Sequence, residues 1–408
     1  MRVFERGMNM QPNLVQREKF TPLQRHILRQ MGVANRFAVI GGPGTGKTVL
    51  ALEGFNQVLA EEDASRVAFM VYNKALRAFL MRYVNHTEPE SVVTTWHSWL
   101  PRYVMRTFNI DFETFKQRYQ TRDYTYDWDA LKRDLSQQTT EKAFYTIFVD
   151  EAQDFPEPLL EIIAQATSRL YVFFDENQKF TPDLLEENRA FSMVEQTALL
   201  GLLDLDENYY DLIENFRNTQ PIERVAKTYE QNYLINNITL RRTTVTKEGP
   251  LPVLKALHDK ATWVKDLVDE LMAHPHTTIG VLIPKVAGHK ALLDGYRDLF
   301  LADRRLHENN FYVHSREREQ SLNASGIFLM TYQVAKGLEF DHVVLPELNH
   351  PMFRLDYYQR NAFYVSVTRA KTRLTMLYEP SLADSEVIKI AKRYAQWFEH
   401  AEMRGVVR

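Results

Sequence analysis

Short apolar runs punctuate this chain, each bounded by glycine-rich or polar turns. Phe37 to Ile40, Arg66 to Tyr72, Ser91 to Thr94, Phe144 to Val149 and Leu170 to Phe174 carry too little polar alternation for a half-solvated sheet. They read as strands buried on both faces, the pattern of a parallel sheet. Between them lie longer segments with apolar positions three and four apart, which read as helices. One begins at Thr21-Pro22, with Thr21 as N-cap and Pro22 at the first helical position, and runs to about Gln30.

The second half keeps the same rhythm. Strands are expected at Leu251 to Leu257, Thr278 to Ile283, Gly326 to Thr331, His342 to Leu345 and Arg373 to Tyr378. Helices are expected at Ala261 to Met272 and Ala287 to Phe300, and a closing helix from Leu382 to Glu402. Strand–helix alternation of this kind predicts an α/β fold with parallel sheets. The acidic stretch Leu203 to Glu207 marks the expected crossing between a domain at 1–206 and another at 207–408. Residues 1–19 read as a polar lead-in. Residues 101–141, where Arg, Lys, Tyr and Phe interleave, read as a small helical insert in the first domain.

The first strand runs into Gly41-Gly42-Pro43-Gly44-Thr45-Gly46-Lys47-Thr48 and then an apolar helix start. Strand, glycine-rich turn and helix arrive in the order of a phosphate-binding loop. Gly42, Gly44, Thr45 and Gly46 let successive backbone N–H groups curl round an anion, aided by the helix N-terminus. Lys47 would reach the β- and γ-phosphates, and the Thr48 hydroxyl would hold Mg²⁺. The strand at Phe144 to Val149 ends in Asp150-Glu151-Ala152-Gln153-Asp154. Asp150 would join the Mg²⁺ shell, and Glu151 would polarise the attacking water. Gln178, beyond a further strand, would sit beside the γ-phosphate. Gln24, just before the loop's strand, has an amide able to read an adenine edge or simply to face water.

Composition narrows the rest. The 408 residues are 45% hydrophobic and 25% charged, with a formal net charge of -3. A nucleic-acid contact would therefore need a local groove and not a generally basic surface. With no cysteine, disulfides, iron–sulfur clusters and thiolate zinc are excluded. No stretch approaches a membrane span, and the expectation is a soluble, cytoplasmic protein with no membrane partner. Thr95-Trp96-His97-Ser98-Trp99 sets two tryptophans around a histidine, as base-stacking platforms or as core filling. Asn215 to Asn218, Thr331 to Asp341 and Tyr364 to Ala370 each place a charged residue at an element end. An arginine offered there could couple hydrolysis to domain closure.

Taken together, these stretches resemble the UvrD/Rep-like superfamily 1 helicases, over most of the chain from Phe20 to about Leu374. The resemblance implies two RecA-like domains of the P-loop NTPase type, with ATP·Mg²⁺ bound in the cleft between them. Gln24 matches the adenine-reading motif. It further implies Phe216 stacking on adenine and Arg217 on the γ-phosphate. Glu339 would hold the ribose with Gly337 beside it, and Arg369 would be the arginine finger. Asn73, Lys74, Thr95, Trp96, His97, Phe180, Thr331 and Gln333 match positions that contact the nucleic-acid strand.

Three positions depart from the pattern: Phe174 precedes the third-motif Asp where a glycine is usual, Gln333 replaces a histidine, and Phe180 replaces a tyrosine. The stretch between Arg217 and Thr331 is consumed by ordinary α/β elements, so the family's large second-domain insert is expected to be absent. The implied activity is ATP-driven 3′→5′ movement on single-stranded DNA with weak unwinding. A nucleic-acid-sensing ATPase that gates a partner nuclease, or an RNA helicase, is the alternative.

Overall fold

The computed structural model describes residues 19–72, 74–122, 125–138, 142–175, 178, 196–205, 208–231, 243–286, 288–313, 325–350, 357–380 and 385–400. They divide into two compact units. The first takes in the described residues of Met1–Gly41, Gly46–Phe174 and Asp183–Leu212; the second takes in Gly42–Thr45, those of Asp175–Pro182 and those of Ile213–Arg408.

The first unit is built on strands β1 (Arg36–Gly41), β2 (Val67–Val71), β3 (Val93–Thr95), β6 (Phe144–Asp150), β7 (Thr167–Phe174) and β8 (Tyr209–Leu212). A small antiparallel hairpin, β4 (Gln120–Arg122) with β5 (Thr125–Tyr126), stands apart. The six strands form one parallel sheet in the order β3-β2-β6-β7-β1-β8. Side chains alternate between its faces. Ala38, Ile40, Met70, Ile147, Val149 and Val172 point to one core, and Phe37, Val39, Phe69, Phe148 and Phe173 to the other. Helices Pro22–Gln30 and Lys47–Glu61 cover the second face. Helices Trp96–Phe108, Phe112–Tyr119, Trp128–Gln138 and Glu157–Ala166 cover the first. Phe148 meets Phe55 and Tyr171 edge to face, and each such buried ring contributes about 1.5–3 kcal/mol.

The expected insert is therefore one wall of the core. Phe115, Tyr119, Tyr126, Trp128 and Leu131 pack directly into it. It is also not wholly helical, because the β4–β5 hairpin turns the chain between two of its helices. The third strand begins later than its apolar run suggests: Pro89 starts a one-turn helix to Val92, and pairing with β2 starts at Val93.

The second unit contains a two-stranded parallel ribbon, β9 (Glu214–Asn215) with β10 (Thr244–Val245). Its sheet holds β11 (Val253–Ala256), β12 (Thr278–Ile283), β13 (Phe311–Val313), β14 (Gly326–Thr331), β15 (Phe340–Leu345), β16 (Ala370–Tyr378) and β17 (Glu399–His400). The order is β13-β14-β12-β15-β16-β11-β17, all parallel. Helices Lys260–Ala273 and His289–Leu301 pack on one face, and Gln220–Gln231, Tyr357–Val367 and Glu386–Arg393 serve the other. Both units are thus RecA-like α/β layers with parallel sheets. The expected closing helix is the main error at this level. It stops at Arg393, and after a short turn Glu399–His400 extend to pair with Val253 and Leu254 of β11.

Candidate active site

Because the strands of the first sheet are parallel, the C-terminal ends of β1 and β6 emerge on one edge. Gly46 there adopts φ 85 and caps helix Lys47–Glu61 with no side-chain cap. A helix N-terminus of this kind favours an anion. Gln24 lies beside this glycine; a Cβ on Gly46 would come within 3.1 Å of its Nε2. The other end of the same amide is engaged: Gln24 Oε1 accepts from the Thr21 backbone N–H at 3.0 Å, completing a capping box with Thr21 Oγ1. Lys47 is buried, and its Nζ donates to the Gly41 carbonyl at 2.6 Å. The Thr48 hydroxyl donates to Asp150 Oδ2 at 2.7 Å.

Asp150 is fully buried, and its second oxygen accepts from the Glu151 N–H at 3.0 Å. Burial, reinforced by the adjacent Glu151, pushes its carboxyl up to about 7. Glu151 itself sits in the left-handed region at φ 56, a conformation uncommon outside glycine that aims its carboxylate away from the strand direction. Gln153 Nε2 donates to Glu151 Oε2, which fixes that aim.

The second unit gathers another set. Gly44, at φ 74, has no room for a side chain: a Cβ would collide with the Asn215 amide and lie 2.6 Å from Arg217 Cβ. Thr45 Oγ1 donates to the Gly42 carbonyl at 2.8 Å, and the Phe216 N–H donates to the Gly44 carbonyl at 2.8 Å. Asn215 is the hub. Its Oδ1 accepts from the N–H groups of Arg217 and Asn218, and its Nδ2 donates to Asn218 Oδ1 and Glu223 Oε2. The Phe216 ring is 52% exposed, a large apolar face left available for stacking. Arg217 Nε donates to Glu339 Oε2 at 2.9 Å, while its buried Nη1 has no hydrogen-bond partner among the described residues.

Arg369 is almost wholly buried. Its guanidinium donates to the Val365 carbonyl, the Leu338 carbonyl and, at 3.1 Å, Gln178 Oε1. Gln178 Nε2 donates in turn to Asp175 Oδ2 at 2.8 Å, and Lys336 Nζ donates to the Gln178 carbonyl at 2.9 Å. Gly337, at φ 84, turns the chain between Lys336 and Glu339.

The donor chemistry decides which metal suits the Thr48–Asp150 pair. Among the described residues no group of three or more His, Asp or Glu side chains gathers for a metal ion. One hydroxyl and one carboxylate supply two hard oxygens. That fits Mg²⁺, which takes few protein ligands and completes its shell with substrate phosphates and water.

Residues 304–381 match the UvrD-like helicase C-terminal domain family, and residues 35–233 match the Schlafen group 3 DNA/RNA helicase domain family. These matches make the chain similar to UvrD-like helicases, most directly over residues 304–381. Among solved structures it is similar to the C-terminal domain of a possible DNA helicase from Lactobacillus plantarum WCFS1. That likeness has 21% identity and a TM-score of 0.33, and covers 46% of this chain and 99% of the other. No curated protein matches the chain.

The strand-contact candidates are dispersed. Asn73 and Phe180 lie outside the described residues, as do Asp123 and Tyr124 of the insert. Lys74 opens helix Lys74–Leu80 and is exposed. Trp96 and His97 do not end a strand but begin helix Trp96–Phe108. Trp96 and Trp99 are core residues, and His97 stacks on Trp96 with centroids 3.6 Å apart. Thr95 Oγ1 donates to Ser98 Oγ at 3.3 Å. Thr331 closes β14 and is buried, and Gln333 follows in the turn with its Oε1 buried and unbonded among the described residues. No helix among the described residues is long and apolar enough to cross a membrane. The hub role of Asn215 and the capping role of Gln24 were missed from sequence, although Thr-x-x-Gln before an apolar run is a readable capping box.

Proposed function

We propose that this chain is an ATP-driven motor with two RecA-like domains that moves 3′→5′ along single-stranded DNA. The observation that carries the reading is the Thr48–Asp150 hydrogen bond beside an uncapped helix N-terminus, with Lys47 folded onto the Gly41 carbonyl. In the proposed cycle the loop N–H groups and Lys47 bind the phosphates. Thr48 and Asp150 hold Mg²⁺, which when bound offsets negative charge on the phosphates. Glu151, steadied by Gln153, takes a proton from the attacking water. Arg217 and Arg369 stabilise the charge that builds on the transferred group, and Gln178, bonded to Arg369, reports its state. Phe216 stacks on the adenine whose edge Gln24 reads, and Glu339 with Gly337 receives the ribose. Lys74, Thr95, His97, Thr331 and Gln333 contact the strand.

The test is the steady-state ATPase rate with no polymer, single-stranded DNA, single-stranded RNA and duplex DNA, beside Lys47→Ala and Arg369→Ala. Stimulation by single-stranded DNA that disappears in both variants is the expected result. Preferential stimulation by RNA overturns the DNA assignment. A rate indifferent to every polymer overturns the motor reading in favour of an ATPase gated by a partner protein. If the large insert is absent as the sequence leads us to expect, the pure chain should unwind a long tailed duplex poorly, and robust unwinding would refute that point.

A further inference from the structure

Two arginines outside the motifs meet at the end of β3. Arg77 lies one turn beyond Lys74 on helix Lys74–Leu80, so both residues share a helix flank. Its Nε donates to the Val93 carbonyl at 2.8 Å and its Nη2 to the Glu90 carbonyl at 3.3 Å. Arg102 lies on helix Trp96–Phe108 and folds back toward that helix's start. Its Nε donates to the Ser98 carbonyl at 2.8 Å and its Nη2 to Thr94 Oγ1 at 2.7 Å. The two guanidiniums are thus anchored on neighbouring residues, Val93 and Thr94. Each is fixed by neutral oxygens, and neither has an ion pair among the described residues. Even Glu90 offers its carbonyl and not its carboxylate.

This arrangement is electrostatically unfavourable as it stands. Partial desolvation of the otherwise exposed Arg102, and then the charge of Arg77, make the Arg102 proton easier to lose than usual. A glutamine at either place could donate to the Val93 or Ser98 carbonyl without that repulsion. Two planar donor forks, each with Nη1 unbonded among the described residues, suit an anion with several oxygens in a fixed array. The uncapped start of helix Trp96–Phe108 adds the same sign of potential.

We infer that Arg77 and Arg102 form a clamp for one phosphodiester of the bound single strand, set between the contacts of Lys74 and those of Thr95 and His97. The inference rests on the strand-binding reading above. It assigns affinity and register to this pair, not sequence preference, since phosphate contacts position the strand without reading bases.

The test is fluorescence anisotropy of a labelled oligo-dT across a salt series, with the full chain. For single strands the slope of log affinity against log salt is about 0.7 per neutralised phosphate. The Arg77→Gln/Arg102→Gln variant is expected to lose about tenfold in affinity at low salt and at least about 0.7 of that slope. Arg102→Lys keeps the charge without the fork; it is expected to keep the slope and lose affinity. Arg133→Gln removes an exposed arginine paired with Asp134 and is expected to change neither. An unchanged slope in the double variant, or an equal loss in Arg133→Gln, overturns the clamp. If the wild-type chain does not bind the oligonucleotide at all, the strand-binding reading fails first. Thermal melting of each variant reports its folding, and Arg102→Lys keeps the question answerable if the double variant melts early.

Discussion

Asp150 and Glu270 are both withdrawn from water, and their protons respond in opposite directions. Asp150 ends a central strand of the first sheet, with the Thr48 hydroxyl and one backbone N–H as its hydrogen-bond donors. Burial wins, and its carboxyl is pushed up to about 7. Glu270 lies on helix Lys260–Ala273 in the second unit, where it accepts from His342 Nδ1 at 2.9 Å and pairs with Arg373. Burial alone would raise it, but the hydrogen bonds and charges of His342 and Arg373 outweigh burial and hold it below the usual glutamate value. One carboxylate is supplied with cations by the fold. The other lies beside Lys47 yet keeps an unmet demand for positive charge, at the place where Mg²⁺ is proposed to bind. Scaffold and site are separable by that sign.

The sharpest way to break the comparison is Asp150→Asn. Its ATPase turnover is expected to fall about 10²–10³-fold, while the nucleotide-free protein becomes more stable. Its folded-state carboxyl titrates above its unfolded value of 3.8. The stability it contributes is therefore complete below 3.8 and is lost as pH rises through about 7. At pH 8 the variant should exceed wild type by roughly 1–4 kcal/mol in denaturant melts, with the gap closing toward pH 4. A variant less stable than wild type at pH 8 would remove the distinction between site and scaffold.

Gly44→Ala should cost about 1–3 kcal/mol, since the residue is held at φ 74 with the Asn215 amide against it. A melt unchanged by this substitution would show that the loop can relax. Glu270→Gln is expected to destabilise by about 1 kcal/mol near neutral pH, after allowance for the half-exposed Arg373. That contribution is present above 4.5 and lost as pH falls through the lowered folded-state value, so wild type and variant should converge in acid. Thr21→Ala, which dismantles the capping box, should cost about 0.5–1 kcal/mol, the smallest of these effects.

What the sequence made legible follows the strength of local signals. The strands at Thr278–Ile283 and Gly326–Thr331 were readable to the residue because each is an unbroken apolar run between polar breaks. That Thr48 and Asp150 come together is legible because the strand, loop and helix of a phosphate-binding loop bring those residue types to one sheet edge; the structure shows them hydrogen-bonded, and their holding Mg²⁺ is the proposal. Short elements were not readable. The β4–β5 hairpin, the β9–β10 ribbon and β17 are two or three residues long and owe their existence to partners far along the chain. The same holds for Arg77 and Arg102. Each alone is an ordinary surface arginine, and only the approach of two helix flanks to one strand end makes them a pair.

The pairing of β17 with β11 has a consequence for solubility. Without Glu399 and His400, the outer rim of β11 would present unpaired N–H and C=O groups along Val253 and Leu254. An open rim of that kind is a template for a second chain to add to. These two residues thus act as a selvedge on the second sheet, and trimming them should make the protein associate through this rim as its concentration rises.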